Sequence, residues 1–133
     1  MIFVDTNVLM YAVGRRHPLR SEAQAFFETA LTAASVRLCT SAEVLQELLH
    51  AYVPVHRIAT LDAALQLATA CIAETWSVEP EDVRLARVLV DSFPELGARD
   101  VLHLASCRRR EVREIKSFDR ALTAAFQRAA SQK

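Results

Sequence analysis

The sequence predicts an α/β fold, a parallel β-sheet of four or five short strands sandwiched by helices. Three observations carry that expectation. Short apolar or β-prone segments recur between longer helical patterns; the first, Ile2-Phe3-Val4, is a continuous apolar run; and glycine is scarce, at 2 copies, beside abundant alanine, leucine and arginine. A strand that is apolar without alternation is buried on both faces, as helices on either side of a parallel sheet require. Few glycines and many strong helix formers favour helices over loops.

Strands are expected at Ile2–Val4, Val36–Cys39, Trp76–Val78 and Val112–Lys116, each too short to be a helix in its context. Helices are expected near 6–13, 19–34, 42–53, 58–74, 80–91, 99–110 and 120–129. Pro18 and Pro80 sit at first-turn positions, where a missing amide hydrogen costs nothing. Thr40 or Ser41 precedes the third helix and Asp119 the last. Thr40-Ser41-Ala42-Glu43 also fits a capping box, in which Glu43 reaches back to the Thr40 amide.

The 133 residues suit one domain, 1–133, with no repeat or linker to divide them. Hydrophobic residues at 52% and charged residues at 24% describe an ordinary soluble protein. Sixteen basic residues balance sixteen acidic ones, so any basic surface is local. Two candidates are Arg108-Arg109-Arg110 with Arg113, and Arg15-Arg16-His17 with Arg20. Each reads either as a helix end whose cations complement the macrodipole or as a phosphate-binding patch. Cys39, Cys71 and Cys107 lack paired spacing and read as reduced core thiols, which disfavours zinc. With no signal-peptide pattern and no stretch approaching a membrane span, a cytoplasmic protein with no membrane association is expected.

In open α/β sheets ligands bind beyond the carboxyl ends of the strands. That rule selects Asp5 after the first strand, Ser117-Phe118-Asp119 after the last, and the helix after the second, which carries Glu43 and Glu47. The capping box gives Glu43 a structural role. Glu47 borders the apolar stripe Val44, Leu45, Leu48 and Tyr52, where a carboxylate is costly unless paired or metal-bound. Asp100 begins the apolar helix Val101-Leu102-His103-Leu104-Ala105. Asp5, Asp100 and Asp119 each also make sense as helix-start acids. Crowded at one sheet edge, however, four carboxylates repel one another unless a cation neutralises them. Hard oxygen donors without cysteine point to Mg2+, with Mn2+ possible.

Phe3-Val4-Asp5-Thr6-Asn7-Val8-Leu9, then Ser41 and Glu47, then Ala98-Arg99-Asp100-Val101-Leu102-His103-Leu104-Ala105, then Lys116-Ser117-Phe118-Asp119-Arg120 together resemble a PIN-domain ribonuclease. The particular resemblance is to the VapC-type toxin of bacterial toxin–antitoxin pairs, and it spans essentially the whole chain. The resemblance implies a three-layer α/β/α fold and an acidic cluster of Asp5, Glu47, Asp100 and Asp119, supported by Thr6, Asn7 and Ser117. It makes Asp5 and Asp100 direct metal ligands. It implies endonucleolytic cleavage of RNA, a homodimer, and a cognate VapB-type antitoxin. The chemistry agrees: a carboxylate-held divalent ion can activate water for in-line attack on a phosphodiester, with Asp119 or Glu47 as proton acceptor.

Other features carry competing readings. His103, three residues after Asp100, is a possible ligand, although a hydrogen-bonded core role suits a histidine on an apolar helix better. His50 bears the same relation to Glu47, with an exposed position favoured. Arg99 either contacts phosphate or clamps a carboxylate, the latter preferred. Trp76 and Tyr52 have no periodic aromatic partners and are assigned to core packing or an interface. Among Phe26, Phe27, Leu31, Leu45 and Leu49, some are expected on a partner surface. A haloacid-dehalogenase-type phosphatase needs a second aspartate where Asn7 stands, and a receiver domain needs one after a middle strand. A housekeeping PIN nuclease and a silent PIN-fold interaction module are the remaining alternatives.

Overall fold

Phe3 and Val4 are fully buried, and the strand they form is the one around which the rest is arranged. In the computed structural model, which describes residues 1–131, the elements run β1 (Ile2–Val4), α1 (Thr6–Val13), α2 (Pro18–Thr32), β2 (Leu38–Ser41), α3 (Ala42–Tyr52), α4 (Ile58–Cys71), β3 (Glu74–Trp76), α5 (Pro80–Val90), α6 (Ala98–Arg109), β4 (Glu114–Lys116) and α7 (Arg120–Ser131). The four strands are parallel, in the order β3-β2-β1-β4. Parallel neighbours cannot be joined by tight hairpins, and here helices make every crossover.

Because β2 flanks β1 on one side and β4 on the other, the chain reverses direction across the sheet at β1. Such a switch point opens a crevice at the carboxyl ends of the two diverging strands. The pairing of Val4 with Lys116, and the bond from the Asp5 amide to the Lys116 carbonyl at 3.0 Å, bring Asp5 and Ser117 together at that crevice. Seven helices flank the sheet, α1 to α4 packing among themselves and α6 packing on α5 and α7. The core between them is apolar, with Leu9, Phe27, Leu48, Phe93, Leu104, Leu122 and Phe126 all buried.

Several boundaries differ from the sequence expectation. β2 lies two residues later than 36–39 and β3 two earlier than 76–78, because Trp76 must pair with Ser41 and Glu74 with Cys39. α4 stops at Cys71 instead of continuing to 74, since the Ala73 amide bonds to the Leu38 carbonyl in the sheet. The capping box at Thr40 does not form. Thr40 belongs to β2 and its hydroxyl donates across the sheet to the Val4 carbonyl at 2.9 Å. The N-cap of α3 falls on Ser41, whose hydroxyl makes no capping bond. Glu43 is therefore without the role assigned to it. A reciprocal bond of this kind occurs on α5 instead, where the Glu79 amide donates to Asp82 at 2.8 Å.

Asp82 also locks α5 to α6. Its side chain is fully buried and receives Arg109 at 2.7 Å and Arg110 at 2.8 Å. Burial pushes the Asp82 carboxyl up, but bonds from Arg110, the Glu79 amide and Arg109 outweigh it, so the group ionises below its ordinary range. The Arg110 guanidinium lies 4.8 Å over Trp76, which stacks on Phe3 at 5.8 Å. Of the core and interface roles assigned to Trp76 and Tyr52 from sequence, their burial agrees with the core. Of the five apolar residues considered for a partner surface, Phe27 is in the core, Phe26 and Leu45 pack against it, and Leu31 and Leu49 are exposed. Among the described residues no helix is long and apolar enough to cross a membrane.

Candidate functional site

Asp5 ends the buried run of β1 and caps α1, so both its backbone and its side chain are fixed by local structure. One carboxylate oxygen accepts from the Thr6 amide at 2.8 Å. The other accepts from the Ser117 hydroxyl at 2.6 Å and from the Asn7 amide at 3.3 Å. Asn7 reaches further: its carbonyl oxygen accepts from the Phe118 amide at 3.1 Å and its nitrogen also contacts the Ser117 hydroxyl at 3.3 Å. Asn7 thus staples the turn after β4 to the turn after β1. Ser117 in turn accepts from the Asp119 amide at 3.0 Å, and one Asp119 oxygen accepts from the Leu122 amide at 3.1 Å, capping α7.

Glu47 enters from α3. Its Oε2 accepts from the Thr6 hydroxyl and its Oε1 pairs with His103 Nε2 at 3.0 Å. Asp100 lies half-buried in the first turn of α6. Hydrogen bonds link six of the seven residues selected from sequence, Asp5, Thr6, Asn7, Glu47, Ser117 and Asp119, at the switch-point crevice, and Asp100 is near enough for the charges of Asp5, Asp119 and Glu47 to act on it.

The electrostatics reflect that crowding. Burial, together with the charges of Asp5, Asp119 and Glu47, raises the Asp100 carboxyl to about 6 against the opposing pull of His103. Burial also raises Asp5, partly offset by the Ser117 bond and by His103. Burial would raise Glu47 too, but the bonds from His103 and Thr6 bring it below its ordinary value. Among the described residues no lysine or arginine forms an ion pair with any of these four acids; His103 alone does so, 3.0 Å from Glu47 and 3.9 Å from Asp5.

His103 is the residue that sequence reasoning placed least well. It is indeed a buried, hydrogen-bonded histidine, with its ring 5.3 Å from Phe3, yet its partners are the site acids. The signal was its position one turn after Asp100. Burial disfavours its protonation, but the Glu47 bond and the surrounding acids raise its pKa. Its Nδ1 has no hydrogen-bond partner, which leaves Nε2–H as the donor toward Glu47. His50 is exposed and does not join the cluster. Arg99, exposed in the first turn of α6, forms no carboxylate ion pair among the described residues, although its charge helps to lower the Glu47 carboxyl.

Asp5, Glu47 and His103 each offer a donor atom within 4.8 Å of the others. Buried Asp5 and half-buried Glu47, Asp100 and Asp119, with His103 as their one basic partner among the described residues, leave carboxylate charge that fits a hard divalent cation. The thiols lie apart in character: Cys39 and Cys107 are buried and unpaired, and burial pushes Cys39 up to about 12.

The sequence matches the PIN domain over residues 2–130. Ribonuclease VapC23 of Mycobacterium tuberculosis is 60% identical over 126 residues, covering 95% of this chain and 98% of the relative. Ribonuclease VapC13 of the same species is 39% identical over 120 residues, covering 90% and 91%. Among solved structures, M. tuberculosis VapC20, described as a sarcin-ricin loop cleaving toxin, superposes with a TM-score of 0.72 at 19% identity, covering 94% of this chain and 95% of that one. A toxin–antitoxin complex from Klebsiella pneumoniae gives 0.63 at 17% identity, covering 90% and 87%. A buried Asp-Thr-Asn turn, acids contributed by α3, α6 and the β4–α7 turn, and these relatives together establish that the chain belongs to the PIN-domain family, within its VapC ribonucleases.

Proposed function

We propose that the protein is a divalent-metal-dependent endoribonuclease that acts as the toxin of a type II toxin–antitoxin pair, with Asp5, Glu47, Asp100 and Asp119 as its acidic machinery. The observation that carries this reading is the concentration of these carboxylates at one crevice without a lysine or arginine ion pair among the described residues. Asp5 and Asp100 would hold Mg2+ or Mn2+ directly. When bound, such an ion supplies charge neutralisation and Lewis acidity for phosphodiester hydrolysis.

The protein's own groups divide the remaining work. Ser117, Asn7 and the Thr6 amide fix the Asp5 carboxylate, so no reorganisation is needed when substrate arrives. Thr6 and His103 engage both oxygens of Glu47. Asp119 spends Oδ1 on capping α7, and its second oxygen is the better placed of the candidates to accept a proton from the attacking water. Exposed Leu31, Leu49, Val53, Val55 and Ile58 support a surface for a second copy and for a VapB-type antitoxin.

The test is an RNA cleavage assay on the purified protein with Mg2+, with EDTA, and with Asp5→Ala. Cleavage should require the metal and fall by at least about a hundredfold in the variant. Undiminished cleavage by Asp5→Ala, or indifference to EDTA, overturns the mechanism.

A further inference from the structure

The two arginine clusters of the sequence have different fates. Arg109 and Arg110 are neutralised by Asp82 and Glu79. Among the described residues Arg15 and Arg16 form no ion pair, and neither does Arg57. These three residues line a cavity of about 360 Å3 together with Tyr11, His17 and Tyr52 and no carboxylate, Arg57 lying 5.8 Å over the Tyr52 ring and donating to the Thr60 hydroxyl at 3.4 Å. In a chain whose charges balance overall, three arginines without an ion pair around one pocket give it a local positive charge that favours an anionic occupant.

The aromatic groups there are ordered. The exposed imidazole of His17 lies 4.6 Å from the Tyr11 ring, and its Nδ1 accepts from the Leu19 amide at 3.1 Å, which fixes the ring plane at the start of α2. The turn that delivers it depends on Gly14, where a Cβ would come within 2.8 Å of the Met10 carbonyl oxygen. Tyr11 also meets Phe118 edge-on at 5.5 Å, and Phe118 precedes the site residue Asp119. The axis of α1 spans ~12 Å from Asp5 to this pocket.

We propose that this pocket is a binding subsite for single-stranded RNA, in which Arg15, Arg16 and Arg57 take backbone phosphates and His17, backed by Tyr11, stacks a base. Guanidinium groups beside an aromatic face are the two elements that grip a flexible strand without reading its sequence. An acidic peptide would use the charges and leave the fixed ring without a purpose. The proposal rests on RNA being the substrate, and α1 would then connect strand binding to the acids at its other end.

The test measures anisotropy of a short labelled oligouridylate against the full-length protein in EDTA, where the RNA stays intact, over a range of salt. The Arg15→Ala/Arg16→Ala/Arg57→Ala variant should bind at least about tenfold more weakly, with a salt slope shallower by ~0.7 per lost phosphate contact. His17→Asn, which keeps a capping acceptor but removes the ring, should lose about tenfold, whereas His17→Phe should stay within about threefold of wild type. Arg108→Ala/Arg113→Ala, beyond the amino end of β4, should bind as wild type does. Equal affinity and equal salt slope for wild type and the triple arginine variant would overturn the subsite, leaving the cleavage reading to its own Asp5→Ala test. A wild-type protein with no affinity for RNA overturns both. Arginine substitutions that spare RNA but abolish binding of an antitoxin peptide assign the pocket to a protein partner and overturn the proposal.

Discussion

Glu47 has both oxygens engaged, and the donor least expected from sequence is the His103 imidazole at 3.0 Å. If Glu47 joins Asp5 at the proposed cation, as their donor atoms within 4.8 Å of one another allow, a residue that orients it is worth roughly 10–100-fold in metal affinity. His103→Leu should therefore weaken Mn2+ binding by about that factor in calorimetric titration of metal-stripped protein, whereas His103→Gln, whose amide nitrogen falls near the Nε2 position, should retain most of it. Equal affinity in wild type and His103→Leu would refute that role. Asp100 gives a pH-dependent prediction. Its folded pKa of about 6 exceeds the ordinary 3.8, so without metal it contributes stability below about pH 4 that is lost as pH rises through 6. In EDTA, Asp100→Asn should gain on wild type in melting temperature between pH 4 and pH 7, and saturating Mg2+ should reverse the order. Asp5, Asp100 and Asp119 were readable because each stands at a strand end or a helix start, and Glu47 because it borders an apolar helix stripe where an unpaired carboxylate is costly. His103 was not, because a histidine at helical spacing in an apolar run looks the same whether its ring meets leucine or a carboxylate.

At the level of elements, α6 carries two of the site groups, Asp100 and His103, and the Asp82 clamp fixes the other end of that helix against α5. Asp82→Asn leaves two partly exposed arginines short of a counter-charge; the cost should be ~2 kcal/mol, below the value for a fully buried pair because solvent reaches the guanidinium groups. Urea denaturation reads it as a lower midpoint with unchanged slope. Helix positions followed closely from apolar periodicity and first-turn prolines, while the strands β2 and β3 were misplaced by two residues each. Strand limits depend on which distant residues pair, as Cys39 does with Glu74, and local pattern does not contain that information. The capping box failed for a related reason: Thr40 spends its hydroxyl on the Val4 carbonyl, a partner 36 residues away.

For the molecule as a whole, the sheet order is what converts scattered acids into one site, and sequence predicted the class of sheet without predicting that order. A cation shared by Asp5 and Asp100 would link β1 to α6, so Mg2+ should raise the melting temperature of wild type and leave Asp5→Ala unchanged. A ligand at a hundred times its Kd adds ~2.7 kcal/mol; an equal rise in the variant would place the ion elsewhere. The bond from Ser117 to Asp5 joins residues 112 positions apart, and β4 can pair with β1 only once residues 114–116 have been made. Until then Asp5 lacks the Ser117 bond and Asp119 has not been added, so a chain still in synthesis would be inert if these acids act as proposed. Under the proposed mechanism, docking of β4 on β1 would be the step that completes the site, and no nuclease would exist before it.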